Sequence, residues 1–301
     1  MAMTISSLDL GRANIKRVHL VEIDKVPKQW MDVIGRVDKT SQQFERYKSI
    51  AGLGPAVETP EGTTAAFDDM LPLFQRDFYP VKVTKGVKFS VESKFTDQYN
   101  VLKNLAPRFA KAFADKRNLV AANLDNLGFT ATTYGMNSEA LYATSHSNGT
   151  ATSGNANRPS VDIAFGPLAV QQMLNEMRKQ RDARNTPMRI NGKILVKVPI
   201  ALTGNLAAVL QSVQLPGTPN NDANYVRNRI EGVVVDDYTS DTAWFARTLD
   251  NNQHGMFFLE QMPYDVIQLP LDQDLMYKWV AYESYTVGWF VWQGSWGTAG
   301  A

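Results

Sequence analysis

A long extended segment followed at once by a single long helix constrains this chain more than any other feature. The extended segment covers about residues 37–90 and has the pattern strand, loop, strand, with turn residues near its middle. Too little of this limb is apolar to close a core of its own. We therefore expect it to lie on another copy of the protein, which favours a building block of a shell over an enzyme. The residues expected in this inter-subunit loop are Gly52, Gly54, Pro55, Pro60, Gly62 and Phe67.

The return strand of the limb and the helix that follows it each show one apolar face. Val81–Val91 alternates apolar and polar residues with period two, which indicates a strand with one face covered. The predicted helix, residues 95–127, carries apolar side chains at spacings of three, four or seven, which form one stripe. The stripe consists of Leu102, Leu105, Phe109, Phe113, Val120, Leu124 and Leu127.

The other faces of this helix are basic. Asp115 is the only acid between residues 103 and 117. Two interpretations remain open: an ordinary solvated helix face, or a surface that faces the lumen of a shell and binds DNA phosphates without reading bases. The basic residues are Lys103, Arg108, Lys111, Lys116 and Arg117.

The rest of the chain mixes helices and strands. Helices are predicted at 27–34, at 167–184 and at 201–212; the second begins at Pro167, a position that proline favours. Its predicted buried side is Leu168, Met173, Leu174 and Met177, and the basic residues from 178 to 184 fit the favourable charge of a helix C-terminus. Strands are predicted at Ile194–Val198, 229–236, 242–249, 255–262 and 264–269. A last strand across 275–292 has aromatic residues on both faces, so both are expected to be covered. This mixture predicts an α+β fold.

Composition narrows the functional classes. The 301 residues carry a formal net charge of +1, without the basic excess of a sequence-specific nucleic-acid binder. Cysteine is absent, which excludes a disulfide framework and thiolate metal sites. No stretch approaches the ~20 apolar residues of a membrane helix, and the N-terminus lacks the apolar core of a signal peptide. We therefore expect synthesis in a cytosol and no membrane partner.

Catalytic and metal-binding patterns are weak. His146, between Ser145 and Ser147, is a candidate for nucleophilic catalysis, but we expect no nearby acid to orient its imidazole. Paired-histidine spacings for a metal are missing, and Asp272 and Asp274 fit a turn better than a cation site. The sequence therefore predicts no catalytic residue, no metal site and no cofactor.

Several short sequence segments, taken in order along the chain, resemble segments of the major capsid proteins of tailed bacteriophages, which have the Hong Kong 97-type fold. The similarity is greatest to the branch typified by the head subunit of phage Mu. It covers essentially the whole chain, through element order and short phrases and not through one diagnostic motif. The phrases are Tyr47–Pro55, Val81–Thr96, Ala140–Asn148, Lys193–Leu202, Val233–Phe245 and Trp292–Gly297.

The resemblance implies an α+β capsid fold in five parts. Residues 1–36 would form an N-terminal arm, and 37–94 an extended loop with its flanking strands. Residues 95–130 would form the spine helix of a peripheral domain, and 131–255 an axial domain. Residues 256–301 would supply strands that return to the peripheral domain, followed by the C-terminus.

The resemblance also implies a function. It indicates a major capsid protein that self-assembles into pentamers and hexamers of an icosahedral head enclosing double-stranded DNA. The protein would reside in the virion after assembly in the host bacterial cytoplasm, with a separate scaffold protein, a portal and a decoration protein as partners. Two alternatives remain open: the shell of an encapsulin-like nanocompartment that houses an enzyme, and a small hydrolase that uses His146.

Overall fold

Three β-sheets and one long helix organise the described part of this computed structural model. Residues 25–65, 67–92, 105–130, 134–136, 139–147, 155–190, 192–214, 223–270 and 275–301 are described. Runs of strands are separated by helices along the chain, so the predicted α+β class is confirmed. In chain order they are α1 (Gln29–Ile34), β1 (Val37–Lys39), β2 (Glu45–Ala51), β3 (Leu71–Phe78), β4 (Val81–Ser90), α2 (Leu105–Asn126), α3 (Pro167–Lys179), β5 (Ile194–Pro199), α4 (Thr203–Gln211), β6 (Ile230–Val235), β7 (Trp244–Thr248), β8 (Met256–Leu269), β9 (Met276–Trp289) and β10 (Ser295–Thr298).

The first sheet has the strand order β1-β8-β9-β4, with β1 parallel to β8 and the other neighbours antiparallel. The sequence predicts two strands, 255–262 and 264–269, whereas the structure has one long β8 whose register shifts between Met262 and Asp265. Pro263 lies at this shift. Because proline has no N–H to donate to a strand ladder, the chain continues past it only through an irregularity.

The helix α2 covers one face of the first sheet with its apolar stripe. Phe109 and Phe113 pack with Tyr264, and Val83 and Val87 of β4 line the same cluster. The predicted covered face of β4 is confirmed at Val83 and Val87, whereas Val81 on the same face is 63% exposed.

The two ends of the predicted stripe have different outcomes. Leu127 is 44% exposed, because α2 ends at Asn126 and residue 127 already belongs to a turn. The prediction that Leu127 is buried is wrong. Leu102, at the other end, lies outside the described residues.

The second sheet has the order β10-β7-β5-β6 and packs against α3 and α4. Its central strand β5 is buried at all six positions, as predicted for residues 194–198. The predicted helix at 201–212 is confirmed: it corresponds to α4, which a short 3-10 helix, Ile200–Leu202, joins to β5.

The helix α3 begins at Pro167, as predicted, but ends at Lys179. Its buried residues are Val170, Met173, Leu174 and Met177, a regular i, i+3, i+4, i+7 stripe. The prediction that Leu168 belongs to this side is wrong. Leu168 lies on the opposite side of the helix and is 70% exposed.

The C-terminal segment contributes to both sheets. Residues of β9 are buried on both faces over its second half, which confirms the prediction for the aromatic strand. The short strand β10 was not predicted; it pairs with β7 in the second sheet, with Trp296 fully buried.

Candidate functional site: the limb, its clasp and the long helix

The base of the limb is a hairpin anchored on the first sheet. Strands β2 and β3 pair antiparallel, and the ring of Tyr47 stacks on Phe257 with a centroid distance of 4.5 Å. The Tyr47 hydroxyl donates to Asp38 at 2.7 Å, and Phe78 packs edge-on against Phe257 at 4.9 Å. These contacts fix the direction in which the hairpin leaves the sheet.

Beyond this base, residues 52–70 form an exposed loop, which we call the limb loop. Every described residue from 55 to 70 is exposed, and Phe67 is 92% exposed. Gly62 has a φ of 81°, a conformation that favours glycine, in a turn closed by the Thr63 N–H donating to the Pro60 carbonyl at 3.2 Å. The loop residues singled out from the sequence therefore lie together in one exposed segment. That they contact a second copy stays a prediction.

Arg184 holds the two ends of the limb loop together. Its Nε donates to the Gly52 carbonyl at 3.2 Å, a terminal nitrogen donates to the Asp69 carbonyl, and its guanidinium pairs with Asp68 at 3.1 Å. The Gly54 N–H donates to Asp68 at 2.7 Å and lowers the pKa of that carboxyl, and Arg184 acts in the same direction. We call this group the clasp.

The clasp was not predicted from the sequence. The basic residues from 178 to 184 were assigned to the end of α3, but the helix ends at Lys179. Asp182 instead accepts the N–H groups of Arg184 at 2.9 Å and Thr186 at 2.7 Å, which shapes the turn that presents Arg184. A charge that lies far along the chain from its partner gives no local pattern.

The basic residues of α2 fall into two groups. Arg108, Lys111 and Lys116 are exposed, and Lys111 pairs with Asp115 at 2.8 Å. Lys103 lies outside the described residues. Contact of this face with DNA stays a prediction.

Arg117 does not lie on that exposed face. It follows Phe113 by one helical turn and so points toward the sheet, where it contacts the fully buried Glu283 of β9 at 2.5 Å. Glu260 lies 3.8 Å from the same guanidinium. Burial raises the pKa of Glu283, and Arg117 opposes that shift. The prediction that Arg117 faces the lumen or DNA is therefore corrected: within this chain it forms an internal ion pair.

A buried polar cluster connects α2 to the second sheet. Asp125 of α2 and Lys197 of β5 are both fully buried, and their charged atoms lie 2.5 Å apart. The hydroxyls of Tyr142 and Tyr238 each donate to the Asp125 carboxylate at 2.5 Å. Burial raises the pKa of both tyrosines and lowers that of Lys197, and Asp125 opposes the shift of the lysine. Since the four groups come from distant segments, this cluster had no sequence signal.

His146, the candidate for nucleophilic catalysis, lies in the environment of a packed core residue. His146 is buried, and its ring stacks face to face on Trp292 at 4.4 Å. Its Nδ1 lies 3.2 Å from Glu139, and its Nε2 lies 2.9 Å from the Asn157 side-chain oxygen. The expectation that no acid lies near was wrong, because the chain folds back and brings Glu139 to the ring. Burial nevertheless lowers the pKa of His146, while the flanking serines are exposed. The arrangement gives no support to the hydrolase alternative.

Sites for small ligands are modest in the part of the chain that the structure describes. No group of three or more histidine, cysteine, aspartate or glutamate residues there could hold a metal ion. The cleft between the limb base and the C-terminal segment encloses about 150 Å³, below the ~300 Å³ typical of small-molecule pockets. Within the same described ranges, no helix has the length and apolar character that crossing a membrane requires.

A family model described as phage capsid protein matches residues 75–296 of the chain. Among curated proteins, no sequence matches it.

Solved structures of capsids and particles have a similar fold. A virus-like particle from Pyrococcus furiosus is 9% identical, with a TM-score of 0.56 over 95% of this chain and 98% of that chain. The capsid of cyanophage P-SCSP1u is 12% identical, with a TM-score of 0.55 over 87% and 85%. The capsid of Ralstonia phage GP4 is 10% identical, with a TM-score of 0.55 over 89% and 87%. Identities this low show a shared fold and nothing further.

Proposed function

This chain belongs to the phage capsid protein family, and on that premise we propose that it is the major capsid protein of a tailed phage. In this proposal it assembles into pentamers and hexamers of an icosahedral head that encloses double-stranded DNA. The fold is the α+β Hong Kong 97-like capsid fold, and the family is a component of the virion. The observation that carries the assembly proposal is the limb loop, which leaves a folded subunit with every described residue from 55 to 70 exposed.

The finer assignments are also proposals. The short phrases quoted above support placement in the Mu-like branch. We assign residues 1–36 to an arm, 37–94 to the extended loop, 95–130 to the peripheral spine, 131–255 to the axial domain and 256–301 to the returning strands. In this division β10 is an exception, because it pairs in the sheet of β5, β6 and β7.

Assembly through the limb follows from simple physics. Repeated heterologous contacts close rings, and in a closed lattice the later contacts form intramolecularly, so that weak contacts suffice. The limb loop presents apolar side chains to solvent, which burial against a neighbour would stabilise. These are Leu53, Val57, Phe67 and Met70, each more than half exposed.

We further propose that the basic face of α2 contacts DNA phosphates inside the head. Arg108, Lys111 and Lys116 are exposed and would neutralise phosphates without reading bases, and Lys103 would join them. Arg117 is excluded by its ion pair with Glu283. A scaffold protein, a portal and a decoration protein remain proposed partners on the basis of the resemblance.

Negative-stain imaging of the purified protein tests the assembly proposal. We expect closed shells of uniform size from the wild-type chain. A deletion of residues 52–76 would remove most of β3 and damage the base of the limb. Replacing residues 55–67 with a short glycine–serine linker is a more specific test of the limb loop than this deletion. A short linker suffices because the Gly54 N–H already contacts Asp68, so the two ends lie close together.

This loop variant should give a folded, soluble subunit that forms no stable shells. Its matched control is a variant that carries only Thr63→Ser, which keeps the loop and should assemble like the wild type. Intact shells from the loop variant, or a wild-type protein that stays a single chain or a dimer at every concentration, would contradict the proposal.

The encapsulin-like alternative is favoured by one observation, the similarity to the virus-like particle from Pyrococcus furiosus over 95% of this chain. The contents of purified particles separate the two functions. Nuclease-protected double-stranded DNA supports a phage head, whereas a co-purifying cargo enzyme without DNA supports a compartment.

A further inference from the structure

The limb hairpin has an irregularity in its middle. Strands β2 and β3 pair in regular register from Glu45 to Lys48, and the register then shifts before pairing resumes at Ile50 and Ala51. Pro72 of β3 lies opposite Ile50 at this shift. Because proline has no N–H to donate and a register shift interrupts the ladder, fewer hydrogen bonds hold the hairpin here than in a regular one. The irregularity divides the limb into a base, which precedes the shift, and an outer end beyond it.

The two parts of the limb have different supports. The base packs through the rings of Tyr47 and Phe78 on Phe257 of the first sheet. The outer end, which includes the limb loop, is held by the clasp, whose arginine, Arg184, lies in the segment that joins α3 to β5. Since α3 and β5 belong to the core of the second sheet, the limb is attached to both sheets, with the irregularity between its two attachments.

A cleft lies under the hairpin next to the irregularity. It encloses about 150 Å³, and its walls are Ile50, Leu73 and Phe74 on the side of the limb and Trp289 and Trp292 on the side of the C-terminal segment. Close-packed contacts resist displacement, whereas a wall that borders open space does not. The outer end of the limb can therefore change its direction without disturbing a packed core.

The clasp adds an attachment that the hairpin itself does not provide. Pairing of Ala51 with Leu71 already brings the two ends of the limb loop close together. Arg184 connects these ends to a segment more than 100 residues away, through the Gly52 carbonyl at 3.2 Å and the Asp68 carboxylate at 3.1 Å. The main effect of the clasp is therefore to fix the direction of the outer end relative to the second sheet.

We propose that the outer end of the limb pivots at the irregularity opposite Pro72 and that the clasp sets its direction. With the clasp closed, the outer end keeps one direction. With the clasp open, the outer end moves over the cleft while the base stays on the first sheet. The effect on assembly rests on the proposed shell function: a limb with one direction loses less conformational freedom when it binds, so subunits with a closed clasp assemble faster.

The clasp is suited to this role because it is polar and partly exposed. The side chain of Asp68 is 42% exposed and that of Arg184 is 17% exposed. An ion pair with an exposed partner contributes little to the stability of a fold, so the clasp can open and close while both sheets stay folded. A substitution in the clasp should therefore change the direction of the limb and leave the urea midpoint of the subunit unchanged.

Distances between two spin labels test the pivot in unassembled subunits. The chain has no cysteine, so Glu61→Cys in the limb loop and Asn175→Cys at an exposed position of α3 supply the two label sites and no others. In the otherwise wild-type subunit we expect one narrow distribution of distances. Arg184→Ala should at least double its width, and so should Asp68→Asn, which weakens the same clasp from the side of the limb. The matched control, Arg178→Ala at an exposed position of α3, should leave the width unchanged.

The rate at which sedimenting shells appear tests the consequence for assembly. Without the labels, Arg184→Ala and Asp68→Asn should each form shells severalfold more slowly than the wild type, because the limb then has to be ordered during binding. Arg178→Ala should assemble at the rate of the wild type. Circular dichroism and the urea midpoint of each subunit check that the substitutions leave the fold intact.

The outcomes separate the clasp from the proposed function. Equal widths for Arg184→Ala and the wild type overturn the pivot, and so does broadening in Arg184→Ala without broadening in Asp68→Asn, since the change then comes from the segment of the arginine alone. A broad distribution with assembly at the wild-type rate overturns the link between limb direction and assembly. A wild-type chain that forms no shells refutes the proposed function instead, and the label distances still decide whether the clasp sets the direction of the limb.

Discussion

Replacing Asp125 should unfold this protein more readily than replacing any exposed acid on the same helix. The variant Asp125→Asn keeps the side-chain shape but removes the negative charge beside the fully buried Lys197. It also weakens the acceptor that the hydroxyls of Tyr142 and Tyr238 share. Removing one partner of a buried ion pair costs about 3–5 kcal/mol, because the other charge stays buried without compensation.

The matched control is Asp115→Asn, which makes the same chemical change ten residues earlier in α2. Asp115 pairs with Lys111 at 2.8 Å, but both side chains are more than half exposed. Such a pair contributes only about 0.3–0.5 kcal/mol. The two variants therefore compare the same chemical change at a buried carboxylate with three partners and at an exposed carboxylate that pairs with Lys111.

The free energy of unfolding can be measured by urea titration of unassembled subunits, followed by tryptophan fluorescence. Trp244, Trp289 and Trp296 are fully buried and report on both sheets. We expect Asp125→Asn to lower the free energy of unfolding by about 3 kcal/mol or more. The double variant Asp125→Leu with Lys197→Met should recover part of the loss, since apolar replacement of a buried pair is often neutral. If Asp125→Asn and Asp115→Asn cost the same within about 0.5 kcal/mol, the buried cluster does not stabilise the fold as argued.

Three further predictions use the same assay or simple proteolysis. Gly294 has a φ of 72°, and a Cβ added there would meet the Gln253 carbonyl at 2.0 Å, whereas Gly62 has a φ of 81° but open space around it. Gly294→Ala should therefore destabilise the fold far more than Gly62→Ala, which should cost about 1 kcal/mol. Equal losses of stability in the two variants would contradict this. Burial lowers the pKa of His254 to about 3, below its ordinary 6.5, so its contribution to stability is present above pH 6.5 and is lost as pH falls toward 3. Between pH 7 and pH 5 the free energy of unfolding of the wild type should fall by about 2 kcal/mol more than that of His254→Gln. Parallel pH profiles of the two proteins would refute this. Arg184→Ala should open the clasp and speed protease cleavage within the limb loop severalfold without changing the urea midpoint, whereas Arg178→Ala, at an exposed position on α3, should leave cleavage unchanged.

Local patterns predicted most of the helices and strands. Period-two alternation predicted β4, and a proline in the favoured first position predicted the start of α3. Even the break that the sequence placed at Pro263 corresponds to a real irregularity, although the strand continues through it. Leu168 was misassigned against the helical period: Met173, Leu174 and Met177 follow Val170 by three, four and seven residues, so Val170 and not Leu168 continues their stripe.

The parts that the sequence did not predict depend on contacts between distant segments. Asp125 and Lys197 are 72 residues apart along the chain, and Arg184 is more than 100 residues from both 52 and 69, whose carbonyl groups it contacts. The strand β10 is four residues long and becomes a strand only because β7 offers it an edge. Arg117 looked like a surface cation because its partner Glu283 lies 166 residues away.

The position of α2 has a mechanical consequence. Its 22 residues extend about 33 Å, and they are tied to the first sheet by Phe109, Phe113 and Arg117 and to the second sheet by Asp125. The helix thus acts as a stiff beam between the two sheets, because sliding one past the other would pull a buried carboxylate away from its cation. When a particle made of such subunits is under external compression or internal pressure, the segments around the clasp should deform first. The relative position of the two sheets should then stay unchanged.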